Sequence, residues 1–160
     1  YNHAAVWAMM AQAQTGDAQG AWESFKAISP AHRSQHPTRG PLYELEPYVT
    51  AGDIYGAAPY AGRGGWSWYT GSAAWLYRAA LENLLGLKIR QGELSLTPRV
   101  PADWPSFDVT LNLDERVVTV HWQRGETTTL KADRFVKAGE VVRLAERPVQ
   151  ASVIVWSAIN

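Results

Sequence analysis

The chain has 160 residues, of which 15 are basic, 15 acidic and 46% hydrophobic, so its formal net charge is zero. Such a chain is long enough for one domain or two small ones with a packed core, which excludes a disordered protein, and its scattered basic residues exclude phosphate-backbone tracking on nucleic acid. The absence of cysteine removes disulfides, thiolate metal sites and cysteine nucleophiles together, and no apolar run approaches the roughly 20 residues that span a bilayer.

Residues 3–14 carry Ala5, Val6, Met9, Met10 and Ala13, with Gln12 and Gln14 as polar positions, and predict a helix that is apolar over much of its surface and buried. Thr15, Gly16 and Asp17 end it. In residues 18–28, Ala21, Trp22, Phe25 and Ile28 recur at spacings of three and four opposite Glu23 and Lys26, the pattern of a surface helix with one packed face. Ser29 and Pro30 stop that helix. Residues 29–41 hold prolines, histidines and arginines without a period and read as a long loop. Within 42–54 a short helix starting at Pro47 is expected, since proline is tolerated in a first turn. A second loop, 56–65, precedes a helix over 72–85 that carries Ala73, Ala74, Trp75, Leu76, Ala79, Ala80 and Leu84 and that Gly86 terminates.

After Gly86 the period becomes two. Residues 87–90 and 94–96 flank Gln91-Gly92 and predict a hairpin. Phe107, Val109, Leu111 and Leu113 alternate with polar residues, and Val118, Val120 and Trp122 answer them across a turn at 112–115. Shorter strands are expected over 128–131, 140–144 and 151–156, and the proline-rich stretch 98–105 with Trp104 reads as a rigid connector packed on the sheet. The fold class is therefore α+β, with a helical part over 1–86 and an antiparallel β-sheet or sandwich unit over 87–160.

The stretch from Arg63 to Arg78 carries the most chemistry. Gly64 and Gly65 allow close backbone approach to a ligand and φ > 0, and Thr70, Gly71 and Ser72 stand where a helix begins, so their outward amides favour an oxyanion and the threonine hydroxyl adds a donor. Trp66, Trp68 and Tyr69 offer flat apolar faces of the kind a pyranose ring packs against. A capped helix with core tryptophans is the other reading of the same residues. His3, at a helix start, faces either a ligand or an internal hydrogen-bond partner, whereas His32 and His36 fall in a loop and His121 on a strand, and no zinc site is expected. Glu44, Glu46 and Asp53 are carboxyl candidates for a general acid, although Glu46 before Pro47 also fits a helix cap or dipole partner. No nucleophile elbow, phosphate loop or dinucleotide fingerprint occurs. Trp104, Trp122 and Trp156 allow an alternative in which the β half is a non-catalytic carbohydrate-binding or assembly module, against core packing as the ordinary role of large aromatics.

Three ordered blocks, Tyr1-Asn2-His3-Ala4-Ala5-Val6-Trp7, Glu46-Pro47-Tyr48-Val49-Thr50-Ala51-Gly52-Asp53-Ile54-Tyr55 and Arg63-Gly64-Gly65-Trp66-Ser67-Trp68-Tyr69-Thr70-Gly71-Ser72-Ala73-Ala74-Trp75, resemble the C-terminal part of glycoside hydrolase family ninety-four. That family holds inverting phosphorylases and the C-terminal region of cyclic β-1,2-glucan synthases, and the wording of the blocks most resembles the latter. The resemblance covers about residues 1–107. It implies that residues 1–86 are a segment of an (α/α)6 barrel, that inorganic phosphate is the co-substrate with no other cofactor, and that His3, Thr70 and Gly71 bind it. It further implies a cleft for a β-glucan or oligosaccharide near Tyr48, Asp53, Trp66 and Trp68, with Gly52 close by.

The family's catalytic aspartate belongs to a tryptophan-asparagine-aspartate motif upstream of the histidine block, and no such motif occurs here. The chain is thus expected to be a soluble piece of a longer protein, inactive alone, partnered by the remainder of its parent or by self-association. Its location is expected to be cytoplasmic or, through a parent synthase region, at the inner membrane.

Overall fold

The computed structural model describes residues 1–68, 70–113, 116–125, 134–144 and 152–158. Tyr69, Ala151, the expected strand over 128–131 and the turn residues 114–115 lie outside the described residues. The chain divides into two compact units, Tyr1–Leu85 and Gly86–Asn160.

The first unit contains α1 (Asn2–Gln14), α2 (Ala18–Ile28), α3 (Pro30–Gln35), α4 (Gly40–Tyr43) and α5 (Thr70–Ala79), the last prolonged by a π-helical turn at Ala80–Leu84. A two-residue antiparallel ladder joins β1 (Asp53–Ile54) to β2 (Gly64–Gly65). α1 packs on α2 and α5. Its buried residues Asn2, Val6, Met9 and Ala13 are spaced four, three and four apart, one stripe of a 3.6-residue period. The expectation that this helix, apolar over much of its surface, is buried is corrected here: Ala4, Trp7, Ala8 and Ala11 are exposed, Trp7 to 53%. At the start of α2 the Asp17 carboxylate accepts from the Gly20 amide at 2.8 Å, and Ala21 and Ile28 are buried beneath the helix.

Two loop expectations also change. Pro30, read as a stop, instead opens α3, because its fixed φ and missing amide suit a first helical turn, and α4 follows within the stretch read as a long loop. The helix expected at Pro47 does not form. The chain makes a turn there, with the Val49 amide on the Glu46 carbonyl at 3.2 Å. Beyond it the Gly52 carbonyl accepts from the Asn2 amide and the Gly52 amide reaches Gly65, bonds that a helix would have closed internally.

In the second unit, β3 (Leu87–Arg90) and β4 (Glu93–Leu96) form the expected hairpin, with Gln91 and Gly92 at φ of 51° and 78° as a two-residue turn of the type that matches strand twist. β8 (Val141–Arg143) adds to β4, giving the antiparallel order β3-β4-β8. β5 (Ser106–Leu113) and β6 (Arg116–Arg124) pair antiparallel with Phe107 opposite Trp122, Val109 opposite Val120 and Leu111 opposite Val118. β9 (Ser152–Ala158) lies parallel to both β6 and β7 (Arg134–Lys137), in the order β5-β6-β9-β7. This second sheet is mixed, which corrects the antiparallel reading, and β7 was not anticipated. Ile154, Val155 and Trp156 are consecutive and all buried, so both faces of β9 are covered. The connector packs on this sheet: Arg124 donates to the Pro101 carbonyl at 3.1 Å, and Trp104 meets Phe107 edge-on at 6.5 Å.

Tyr43, at the end of α4, is fully buried, and burial pushes its phenol above the ordinary value of 10.0. A proton held more tightly in the folded than in the unfolded chain contributes stability below the unfolded pKa and loses it as pH rises towards the folded value. The thermal midpoint is therefore expected to fall more steeply between about pH 8 and about pH 11 for the natural chain than for Tyr43→Phe. Parallel curves would contradict the assignment.

Candidate phosphate and sugar site

One backbone carbonyl gathers the site. Ala51 is fully buried, and its oxygen accepts from Asn2 Nδ2 at 2.9 Å and from Ser72 Oγ at 3.2 Å. The Gly52 carbonyl accepts from the Asn2 amide at 2.8 Å, and the Gly52 amide donates to the carbonyls of Gly65 and Trp66 at 3.0 and 2.9 Å. Segments from positions 2, 51–52, 65–66 and 72 are thereby fixed to one another. Both side chains in the clamp are buried, Asn2 to 2% and Ser72 to 0% exposure, so neither finds water as an alternative partner.

The neighbours of these anchors are three of the residues singled out in the sequence. His3 follows Asn2, and Thr70 and Gly71 precede Ser72 at the first turn of α5. The structure brings His3 and Gly71 together: a methyl group placed on Gly71 would stand 3.9 Å from both Cε1 and Nδ1 of His3. Thr70 and Gly71 are exposed, while His3 is half-buried, with its Nε2 inaccessible and without a protein partner. A buried acceptor left unpaired costs less than a buried N–H left unpaired, so the neutral ring carries its proton on Nδ1, on the Gly71 side. Trp7 meets the ring edge-on at 4.9 Å, Trp75 lies 6.0 Å away, and the two tryptophans touch each other edge-on at 6.0 Å. His3 thus lies beside the exposed first turn of α5, where Thr70 and Gly71 stand and where the free amides of a helix start favour negative charge.

Beside it lies an aromatic surface. Trp66, Trp68 and Tyr48 are 75%, 67% and 73% exposed, and Tyr48 meets Trp68 at 6.4 Å in an edge-on arrangement. Trp66 and Trp68 both adopt positive φ, 55° and 60°, a conformation uncommon for bulky residues that the surrounding structure has to impose. The sequence reading gave this freedom to Gly64 and Gly65; the structure corrects it. Those two glycines are buried in β2, where a Cβ on Gly64 would stand 2.5 Å from Leu45 and one on Gly65 would collide with the Asp53 carboxylate. The close approach they permit is to the protein itself. Asp53 is half-buried, and its Oδ1 is inaccessible and without a hydrogen-bond partner.

The remaining candidates separate from this cluster. Glu44, in left-handed backbone at φ 54°, pairs with Arg63 at 3.2 Å, and Glu46 is exposed in its turn with no helix to cap. His32 falls within α3 and not in a loop, and His121 pairs with Asp108 at 2.8 Å. Trp122 and Trp156 are buried to 4% and 1% exposure, which removes them as stacking surfaces for a sugar and with them the main support for a carbohydrate-binding β half. Among the described residues no cluster of three histidines or carboxylates is placed to hold a metal, and no helix is long and apolar enough to cross a membrane. The clamp role of Asn2 and Ser72 was missed in the sequence, where Ser72 was named only as part of a helix start. Their signal was position, because each falls on the buried stripe of its helix: Asn2 with Val6, Met9 and Ala13, Ser72 with Leu76 and Ala79.

A half-buried histidine beside the exposed start of α5, with exposed aromatic side chains in the preceding loop, is what the helical unit offers. Residues 1–86 match the glycosyl hydrolase 94 superfamily, catalytic domain, and residues 87–144 match the glycosyl hydrolase family 65, C-terminal domain. The chain belongs to the glycosyl hydrolase 94 superfamily. It is 39% identical over 142 residues to the cyclic beta-(1,2)-glucan synthase NdvB of Rhizobium meliloti (strain 1021), covering 89% of this chain and 5% of the relative. It is 27% identical over 157 residues to the N,N'-diacetylchitobiose phosphorylase of Vibrio proteolyticus, covering 96% of this chain and 18% of that protein. With the solabiose phosphorylase of Paenibacillus borealis the identity is 29% over 108 residues, 65% of this chain and 13% of the relative. The chain spans less than a fifth of the length of each of these three.

Two substitutions test the clamp. Asn2→Ala leaves a buried carbonyl short of a donor and is expected to cost about 1–3 kcal/mol in urea unfolding, and Asn2→Asp is expected to cost more, because it sets an acceptor against the Ala51 oxygen. A cost under about 0.5 kcal/mol for both variants would show that Asn2 does not hold the segments together.

Proposed function

We propose that these residues form part of the catalytic region of an inverting glycoside phosphorylase or cyclic β-1,2-glucan synthase, and that their share of the work is to hold phosphate and one side of the sugar cleft. His3 Nδ1, the Thr70 hydroxyl and the Gly71 amide bind inorganic phosphate. Tyr48, Trp66 and Trp68 provide the sugar surface, and Asp53 lies at its edge. The observation that carries this reading is the seating of the His3 ring 3.9 Å from the position a Gly71 Cβ would take, at the exposed start of α5.

In such a reaction a phosphate oxygen forms a bond to the anomeric carbon from the face opposite the leaving sugar, the glycosidic C–O bond breaks, and a carboxylic acid protonates the departing oxygen. Holding the phosphate in line contributes by orientation, which is worth much of the barrier when two reactants are fixed together. The acid comes from outside these 160 residues, since no tryptophan-asparagine-aspartate motif is present. Residues 1–86 contribute helices to an (α/α)6 barrel, in which Ala4, Trp7, Ala8 and Ala11 on the outer face of α1 are covered by further helices. The covering chain is the remainder of the parent or a second copy, and the location is the cytoplasm or the inner membrane.

Millimolar phosphate is expected to shift the His3 imidazole resonances saturably, and Thr70→Ala to weaken that binding by roughly tenfold through loss of one charge-assisted hydrogen bond. The chain alone, given phosphate and a β-glucan, is expected to release no sugar 1-phosphate. An unmoved His3 signal would remove the phosphate assignment, and phosphorolysis by the isolated chain would remove the missing acid.

A further inference from the structure

The first unit also contains a cationic hollow that shares no residue with the site above. A cavity of about 360 Å3 is lined by Lys26, His32, Arg33, His36 and Arg39, with Glu23 as its one carboxylate. Glu23 is already paired with Lys26 at 2.8 Å, so these two charges cancel locally. Arg33 and Arg39 have no carboxylate within ion-pair distance among the described residues. Arg33 is half-buried and held in place by its Nε, which donates to the Ala27 carbonyl at 2.7 Å. Burial and the neighbouring charge of Arg39 both push its guanidinium below the ordinary value, the sign of a cation in want of an anion.

The two histidines extend the donor set. His36 Nδ1 accepts from the backbone amides of Thr38 and Arg39 at 3.3 Å each, which places the proton of the neutral ring on Nε2 and makes that atom a donor. His32, four residues earlier, is oriented through Nδ1 by the Ser29 hydroxyl at 3.1 Å. A larger, more open hollow of about 560 Å3 shares Arg33 and Arg39 with the first, and its lining includes Tyr1, Tyr55, Gly56 and Gly62. Tyr1 and Tyr55 are 65% and 39% exposed. Two arginines are therefore common to a hollow of cationic donors and to one with aromatic faces. Arginine forks favour phosphate oxygens, and tyrosine faces favour the apolar side of a sugar ring.

From this arrangement we infer a second ligand site, for a sugar phosphate, with the phosphoryl group on Arg33, Arg39, His32 and His36 and the sugar against Tyr1 and Tyr55. Each hollow has a volume within the range of small-ligand pockets. The inference stands without the phosphate assignment at His3, Thr70 and Gly71.

The test is titration of the 160-residue chain with glucose 1-phosphate, inorganic phosphate and glucose, followed by the imidazole resonances of His32 and His36. Glucose 1-phosphate is expected to shift both saturably in the millimolar range or below, and to bind more tightly than either inorganic phosphate or glucose. The response is expected to persist in Thr70→Ala, which weakens the first site, and to weaken about tenfold or more in Arg39→Gln. Arg39 is exposed, so that substitution leaves the core intact. Unmoved His32 and His36 signals in the natural chain would overturn the site, as would an unchanged curve in folded Arg39→Gln. Equal affinity for inorganic phosphate would overturn its assignment to a sugar phosphate. A failure confined to Thr70→Ala would instead tie the response to the first site.

Discussion

The arrangement of the helical unit depends on a carbonyl that cannot reach water. The oxygen of Ala51 is buried between the starts of two helices, and it is satisfied from both, by Asn2 of α1 and Ser72 of α5. A buried carbonyl costs free energy when unpaired, so the two helix starts are drawn to one point and their first turns face the same side. His3 and Gly71 are adjacent to the two donors, and their proximity follows from this constraint and not from any direct bond between them. The Gly52 peptide extends the same logic to Gly65 and Trp66, which places the aromatic loop beside the helix starts. Packing and chemistry meet here: the groups that fix the fold are one residue away from those proposed to bind phosphate.

Strain and exposure mark the opposite edge of the site. Trp66 and Trp68 are held in left-handed backbone, each at a cost on the order of 1–3 kcal/mol, and their rings are then left largely in solvent. Neither feature stabilises this chain. Trp68 meets Tyr48 edge-on, and these exposed faces are the ones assigned to the sugar in the proposed function. The buried Gly64 and Gly65 supply the rigid floor. Their lack of side chains lets Tyr43, Leu45, Asp53 and Tyr55 close upon the strand.

Much of the second unit was legible because alternation is a direct imprint of the pleat. Phe107, Val109 and Leu111 face Val118, Val120 and Trp122 in the register that their spacing implied, and Gln91-Gly92 turns where a residue able to take positive φ was available. What escaped was long-range pairing: nothing local in residues 152–158 distinguishes a strand that runs parallel to β6 and β7 from one that runs antiparallel. In the helical unit, composition misled where position would not have. Alanines and methionines made α1 look buried, yet its fully buried positions are confined to one stripe through Asn2, Val6, Met9 and Ala13. The same stripe carried the informative exception, a polar Asn2 that had to be hydrogen-bonded to something distant. Pro47 failed as a helix start because the peptides beyond it were needed by other segments, a demand visible only in three dimensions.

The account rests on His3, Thr70 and Gly71 forming one phosphate site, and the most direct test is a crystal structure of the chain grown with saturating phosphate. It predicts an ion with oxygens about 3 Å from His3 Nδ1, Thr70 Oγ1 and the Gly71 amide nitrogen, the distance of charge-assisted hydrogen bonds. A well-ordered structure in which that surface holds no ion would contradict it.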